Sequence, residues 1–152
     1  MTELFFSVAT PDPSVYDGKH DLDPGETTVY NGYLAALNSS GSAIVSTGSP
    51  IGMFYDKMSM TRFPATSNLG TYLGSKKVNI ATGFFKAFVG KGLFSTGALP
   101  TQNAKLYDNG HGKLALAGGT VIGVVENADL DMAHPEGTRK VALCRFDFTQ
   151  II

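Results

Sequence analysis

The chain has 152 residues with 12 basic and 13 acidic side chains, a formal net charge of -1. No general field therefore draws it to a phosphate backbone, and nonspecific nucleic-acid binding is not expected. Hydrophobic residues make up 43% and charged residues only 16%, against roughly 25% charged in ordinary soluble proteins, so much of the exterior must be Ser, Thr, Asn and Gly or be covered by partners.

The length suits one domain with a real core, and 18 glycines with 7 prolines, spread without a period, suit an all-β fold rich in turns. The start, MTELFFSVATPDP, has an acid at position 3, no basic cluster and an apolar run too short for a signal peptide. No window approaches the roughly 18 apolar residues of a membrane-spanning helix. A cytosolic protein is expected, unless it leaves inside something larger.

Residues 4–8 read as a first strand. Residues 11–25, PDPSVYDGKHDLDPG, hold three prolines and read as a long polar loop or arm. Ordering such a segment costs conformational entropy, and either a neighbouring subunit or its own domain must fix it. The organisation expected is an N-terminal strand and arm over 1–26, then a single β domain over 27–152.

Residues 27–37 suggest a strand, with NSSG at 38–41 as its turn. Next come residues 41–56 (GSAIVSTGSPIGMFYD), which align without a gap with residues 112–127 (GKLALAGGTVIGVVEN) at an offset of 71. Gly41/Gly112, Gly48/Gly119, Ile51/Ile122 and Gly52/Gly123 are identical, and apolar residues match at Ala43/Leu114, Val45/Leu116 and Met53/Val124. Each copy reads as a short strand, a glycine turn and a second strand interrupted by an Ile-Gly pair. Four identities in sixteen positions leave chance similarity in a glycine-rich β protein open beside two related hairpin units. Residues 56–74 carry no clean period and read as irregular, with room for one short helix.

The second half alternates more plainly. Strands are predicted over 77–80 and 84–89, the latter with Phe84, Lys86 and Phe88 on one side and Phe85, Ala87 and Val89 on the other. Residues 90–92 bend the chain. Strands over 105–107 and 113–117 flank DNGHG and form a hairpin. Further strands are predicted over 121–126 and 140–148, the last with Ala142, Cys144, Phe146 and Phe148 on one face and Arg145 and Asp147 on the other, the pattern of a sheet with one buried face. Together these give an all-β sandwich or small barrel of antiparallel strands with an extended N-terminal arm or loop.

A search for reactive chemistry returns little. There is no G-x-S-x-G nucleophile elbow. His20, His111 and His134 are far apart and fall in predicted loops, without metal-site spacing. The acidic pairs Asp21/Asp23 and Asp129/Asp131 lack the long loop and terminal glutamate of an EF-hand and read as solvated turn acids. Residues 110–113, GHGK, lack the spacer, hydroxyl residue and helix of a phosphate loop. Lys76 and Lys77 form a basic spot too small to bind a nucleic acid. Cys144 has no partner for an internal disulfide and reads as a small buried hydrophobe. No catalytic residue, metal ligand or cofactor site is expected. The phenylalanines are assigned to core and interface packing.

The run FFKAFVGKGLFSTGALPTQNAKLYDNGHGKLALAGGTVIGVVENADL, followed by KVALCRF, resembles the capsid decoration (cement) proteins of tailed bacteriophages. In those small β-rich proteins a strand leads through a Gly/Pro-punctuated loop to a hairpin and a glycine-led apolar strand. The matching residues are Gly97, Pro100, the hairpin over 106–116, Gly119, Ile122, Gly123 and Val124, and the likeness covers residues 84–146. It implies a structural, non-enzymatic homotrimer on the exterior of the virion, assembled in the host cytoplasm. Its partner would be the major capsid protein, with no cofactor, no direct nucleic-acid contact and no membrane.

Such proteins gain from strand exchange at exposed edges. The candidate contacts between subunits are Leu4, Phe5, Phe6 and Val8 at one end and Ile151 and Ile152 at the other, each set against an ordinary strand in its own sheet. The alternatives are a tail or fibre attachment module, for which heptads are missing, a small trimeric β enzyme of dUTPase type, or a sugar-binding sandwich. For the enzyme, the only imitation of the expected constellation is Val15-Tyr16-Asp17-Gly18, and it is a poor one. The sandwich would ordinarily use a tryptophan, and the chain has none.

Overall fold

Apolar residues at period two, punctuated by glycine, fold into strands throughout. The computed structural model describes residues 4–10, 14–55, 77–133 and 137–148. Within these the strands are β1 (Phe6–Thr10), β2 (Ser14–Asp21), β3 (Leu34–Leu37), β4 (Ala43–Val45), β5 (Gly52–Phe54) and β6 (Lys77–Thr82). The second half adds β7 (Phe84–Gly90), β8 (Lys105–Asp108), β9 (Leu114–Ala115), β10 (Gly123–Met132) and β11 (Arg139–Asp147). They form two antiparallel sheets, one ordered β2-β6-β5-β3-β4 and the other β1-β7-β11-β10-β8-β9. With β1 set aside, the strands that follow one another as β2 to β6 and as β7 to β11 are arranged in the same spatial order.

The main core lies where both sheets contribute. The second sheet supplies Phe6, Phe85, Ala87, Val89, Leu106, Val125, Ala142, Cys144 and Phe146, and the first supplies Leu34, Met53 and Ala81. Phe85, Phe146 and Phe148 pack with ring centroids 5.6 to 6.0 Å apart, Phe148 stacked on both of the others and Phe85 tilted against Phe146. Alternate residues of the first sheet, Ala35, Ala43, Phe54, Val78 and Ile80, build a second cluster with Leu22 and Val29. That sheet is thus buried on both faces, its second face packed against the segment that follows β2.

The Ile-Gly pairs have a common packing reason. A Cβ on Gly52 would come within 2.2 Å of the Ala81 carbonyl oxygen, and one on Gly123 within 2.7 Å of the Arg145 carbonyl oxygen. Each glycine opens a strand that lies too close to its neighbour, β6 or β11, to carry a side chain there.

Several sequence expectations need correction. The polar loop expected over 11–25 contains β2, which pairs with β6 through Ser14↔Thr82, Val15↔Ala81, Tyr16↔Ile80, His20↔Val78 and Asp21↔Lys77. At a sheet edge, main-chain pairing suffices to hold a strand. The register break between Tyr16 and His20 takes up the Asp-Gly step that reads as a turn. His20 accordingly lies in a strand.

The strand expected over 27–37 is confined to Leu34–Leu37, because the residues before it turn back, with Tyr33 N–H donating to Tyr30 O and Gly32 N–H to Phe54 O. Asp129 and Asp131 sit in β10, which runs on to Met132. Asp129 adopts a left-handed φ of 62° where the register slips between Asn127 and Leu130. The irregular stretch expected over 56–74, together with Lys76, His134, Ile151 and Ile152, lies outside the described residues.

Candidate functional site

Phe6, Ser7 and Val8 pair with Val89, Phe88 and Ala87 of β7 in the same chain. Phe5 O accepts a hydrogen bond from Gly90 N–H at 2.8 Å. Leu4 and Phe6 are buried members of the main core, Phe5 is buried, and Val8 packs against that core. These residues are held by their own domain, and among the described residues β1 is an edge strand of its sheet.

A second place of interest is where the two halves meet. The β8–β9 turn, residues 108–113, docks on β3 and β4. Leu34 N–H donates to Gly112 O at 2.7 Å, and the Ser46 hydroxyl donates to Asp108 Oδ2. The other Asp108 oxygen accepts from Gly110 N–H at 2.7 Å. A Cβ on Gly112 would fall 2.5 Å from Val45 Cγ1 and 3.3 Å from Tyr33 Cδ2, so the turn is seated directly against these side chains. Burial, and then the neighbouring Tyr30, push the Tyr33 phenol above its ordinary pKa.

The turn owes its shape to Asn109. Its Oδ1 accepts from His111 N–H at 2.7 Å and Lys113 N–H at 3.0 Å. Asn38 does the same for Ser40 and Ser42, at 2.9 and 3.0 Å. Main-chain bonds repeat with the same spacing of 71 residues: Ile51 to Ala35 and Ile122 to Leu106, Phe54 to Tyr33 and Val125 to Ala104, Gly32 to Phe54 and Asn103 to Val125. Gly32 and Asn103 are both left-handed, with φ of 88° and 70°. Hairpin pairs correspond as well, Ala36↔Ile44 with Tyr107↔Ala115 and Leu37↔Ala43 with Asp108↔Leu114.

Beside the docked turn lies a cleft of about 330 Å³ lined by Glu26, Thr28, Ser46, Gly110 and His111 among others. Two of its polar side chains, Glu26 and Ser46, tie the chain together. Glu26 Oε2 accepts Val45 N–H at 2.6 Å, and buried Ser46 Oγ, besides donating to Asp108, accepts Gly48 N–H at 3.2 Å. A serine hydroxyl whose proton is directed at a carboxylate, in a fully buried position, is placed as a structural tie.

The acids singled out in the sequence are similarly engaged. Asp21 pairs with Lys77 at 2.8 Å, and Asp131 and Asp129 pair with Lys140 at 2.7 and 3.8 Å. These partners, the Asp131 hydrogen bond foremost, hold the Lys140 ammonium above its ordinary pKa. Asp23 accepts from Gly25 N–H and Asn38 Nδ2. Cys144 is fully buried, which raises its thiol pKa strongly, with a smaller push from Glu126. No group of three or more His, Cys, Asp or Glu side chains is placed to hold a metal among the described residues.

No family model, curated protein or solved structure matches this chain.

Three large hydrophobic side chains are exposed among the described residues: Phe84 at 47%, Leu116 at 46% and Leu37 at 37%. Phe84 walls a cleft of about 320 Å³ with Val121, Val124, Arg145 and Asp147. The outer face beside it carries an ion network in which Glu126 meets Lys86 at 3.0 Å and Arg145 at 3.5 Å. The sequence matches Leu116 to Val45 but does not show that Leu116 and Leu37 are exposed, nor the Ser46–Asp108 link. The available signal was the shared Asn-x-x-Gly turn at 38–41 and 109–112, which extends the repeat upstream and aligns the flanking positions.

Proposed function

We propose that the protein is a structural virion component, a capsid decoration protein of tailed-bacteriophage type. On this reading it performs no catalytic step. It binds the outside of an assembled shell as a homotrimer, clamps neighbouring major capsid protein subunits, and is added in the host cytoplasm. The chain would then be two related five-stranded units, the first preceded by β1 as an added edge strand. The observation that carries the reading is the disposition of side chains. The polar and acidic groups described above are engaged in ties within the fold, while large apolar side chains and sheet edges face outwards, as a binding surface requires. The sequence likeness over residues 84–146 supplies the identity of the lattice.

A protein that binds only the assembled lattice stabilises it in proportion to RT ln(1 + [L]/Kd), about 2.7 kcal/mol per site at a hundredfold excess over Kd. Purified protein mixed with shells that lack it is expected to co-sediment with them and to raise their melting temperature. Intact shells that neither bind the protein nor melt later would remove the reading.

A further inference from the structure

The contact between the two halves is directional. The second turn sits on the first half, at Leu34 and Val45–Thr47, yet the first turn does not sit on the second half. Ser39, Ser40 and Gly41 are exposed, and a Cβ on Gly41 would meet nothing within 4 Å. Adding 71 to the receiving residues gives Lys105, Leu116, Ala117 and Gly118, all of them exposed. Among the described residues, one side of the internal contact is therefore repeated, exposed, on the second half, and the other side is repeated, exposed, on the first.

The exposed positions on the two sides each carry a leucine. Leu116 corresponds to Val45, which Gly112 covers, and Leu37 corresponds to Asp108, which reaches Ser46. Two of the three exposed large hydrophobics thus stand at the two matching halves of this contact. Where the internal contact joins Asp108 to Ser46 by a hydrogen bond, its repeat would join Leu37 to Ala117 by apolar packing. Among the described side chains every other leucine, isoleucine, valine and methionine is buried or half-buried, so the two exposed leucines stand apart at these positions.

We infer that a second copy of this chain docks head to tail, its 37–42 turn resting on Lys105 and Leu116–Gly118 of its neighbour just as residues 108–113 rest on Leu34 and Val45–Thr47 within one chain. The contact is heterologous, so its repetition makes a closed ring or an open filament according to the rotation between units. A ring formed this way carries twice as many units as chains around its axis. The inference rests on the repeated bonding pattern and not on the capsid reading, and its test needs no shell.

Two measurements on the full-length protein decide it. Sedimentation velocity of the wild type is expected to show species larger than the 16.1 kDa chain, one discrete multimer for a closed ring or a series that lengthens with concentration for an open filament. Leu116→Lys and Leu37→Glu should each weaken association at least about tenfold, the scale of one leucine kept from burial, while thermal melting shows each variant folded. Leu37→Cys protein mixed with Ala117→Cys protein under mild oxidation should give a disulfide-linked dimer that neither gives alone, since native Cys144 is buried. A monomeric wild type overturns the inference. So does a multimer that survives both charge substitutions, or one whose cross-links join position 37 to 37 or 117 to 117.

Discussion

Gly41 and Gly112 occupy equivalent turn positions with nearly the same backbone, φ of 81° and 88°, but different surroundings. Alanine at either must adopt a left-handed conformation, which costs about 1 to 2 kcal/mol. At Gly41 nothing more is lost within the chain, because no heavy atom lies within 4 Å of the new Cβ. At Gly112 the new methyl meets Val45 Cγ1 at 2.5 Å, so the turn must lift from β3 and β4. Overpacking of this kind adds about 1 to 3 kcal/mol, and a stretched Leu34–Gly112 hydrogen bond adds up to about 1 more. Gly112→Ala is thus expected to lose at least 1 kcal/mol more stability than Gly41→Ala, with similar backbone strain in both. Urea unfolding followed by tyrosine fluorescence, on a Leu116→Lys background to keep association out of the comparison, measures the difference. Equal losses, or a larger loss for Gly41→Ala, would refute the docked-turn geometry.

Other outcomes follow from single contacts. Ser46→Ala removes the tie to Asp108 and should cost about 1 to 3 kcal/mol, read from the same unfolding curves. Gly123→Ala, whose methyl would press on the Arg145 carbonyl at 2.7 Å, should destabilise the fold as a small-to-large core change does, by about 1 to 3 kcal/mol. Burial holds the Cys144 thiol protonated in the fold, whereas the unfolded thiol ionises near its ordinary pKa of about 8.5. Its contribution is therefore present below that pH and declines above it by up to about 1.4 kcal/mol per pH unit, a slope that Cys144→Ala should lessen in melts from pH 7 to 10. Phe84→Ser should change stability by less than about 0.5 kcal/mol, since the ring is already half exposed, yet weaken shell binding in the co-sedimentation assay.

The legible parts of the sequence were those where one face is buried. In β7 and β11 the alternation of Phe85, Ala87, Val89 and of Ala142, Cys144, Phe146 matches the buried face residue by residue. Period two carries less where a sheet is buried on both sides, and Val29 falls in the second cluster without belonging to a strand at all. β2 was hidden for another reason: turn-forming residues dominate it, and the interaction that holds it is a main-chain ladder to β6, some 60 residues away. The internal resemblance was visible as four identities. Its reach was not, because what recurs is a set of main-chain bonds that different side chains satisfy, Gly32 in one half and Asn103 in the other. The Ser46–Asp108 tie was beyond any local pattern, joining residues 62 apart.

The pairing of β1 with β7 has a consequence for how the chain matures. Phe6 finds its ladder partner at Val89, so β1 cannot settle until β7 has left the ribosome. A separation of that length makes it a late arrival in folding, since loop closure must precede the gain from pairing. Until then the apolar side chains of Leu4, Phe5 and Phe6, buried in the finished fold, stand exposed to water and to other chains, the state in which a folding polypeptide aggregates most readily.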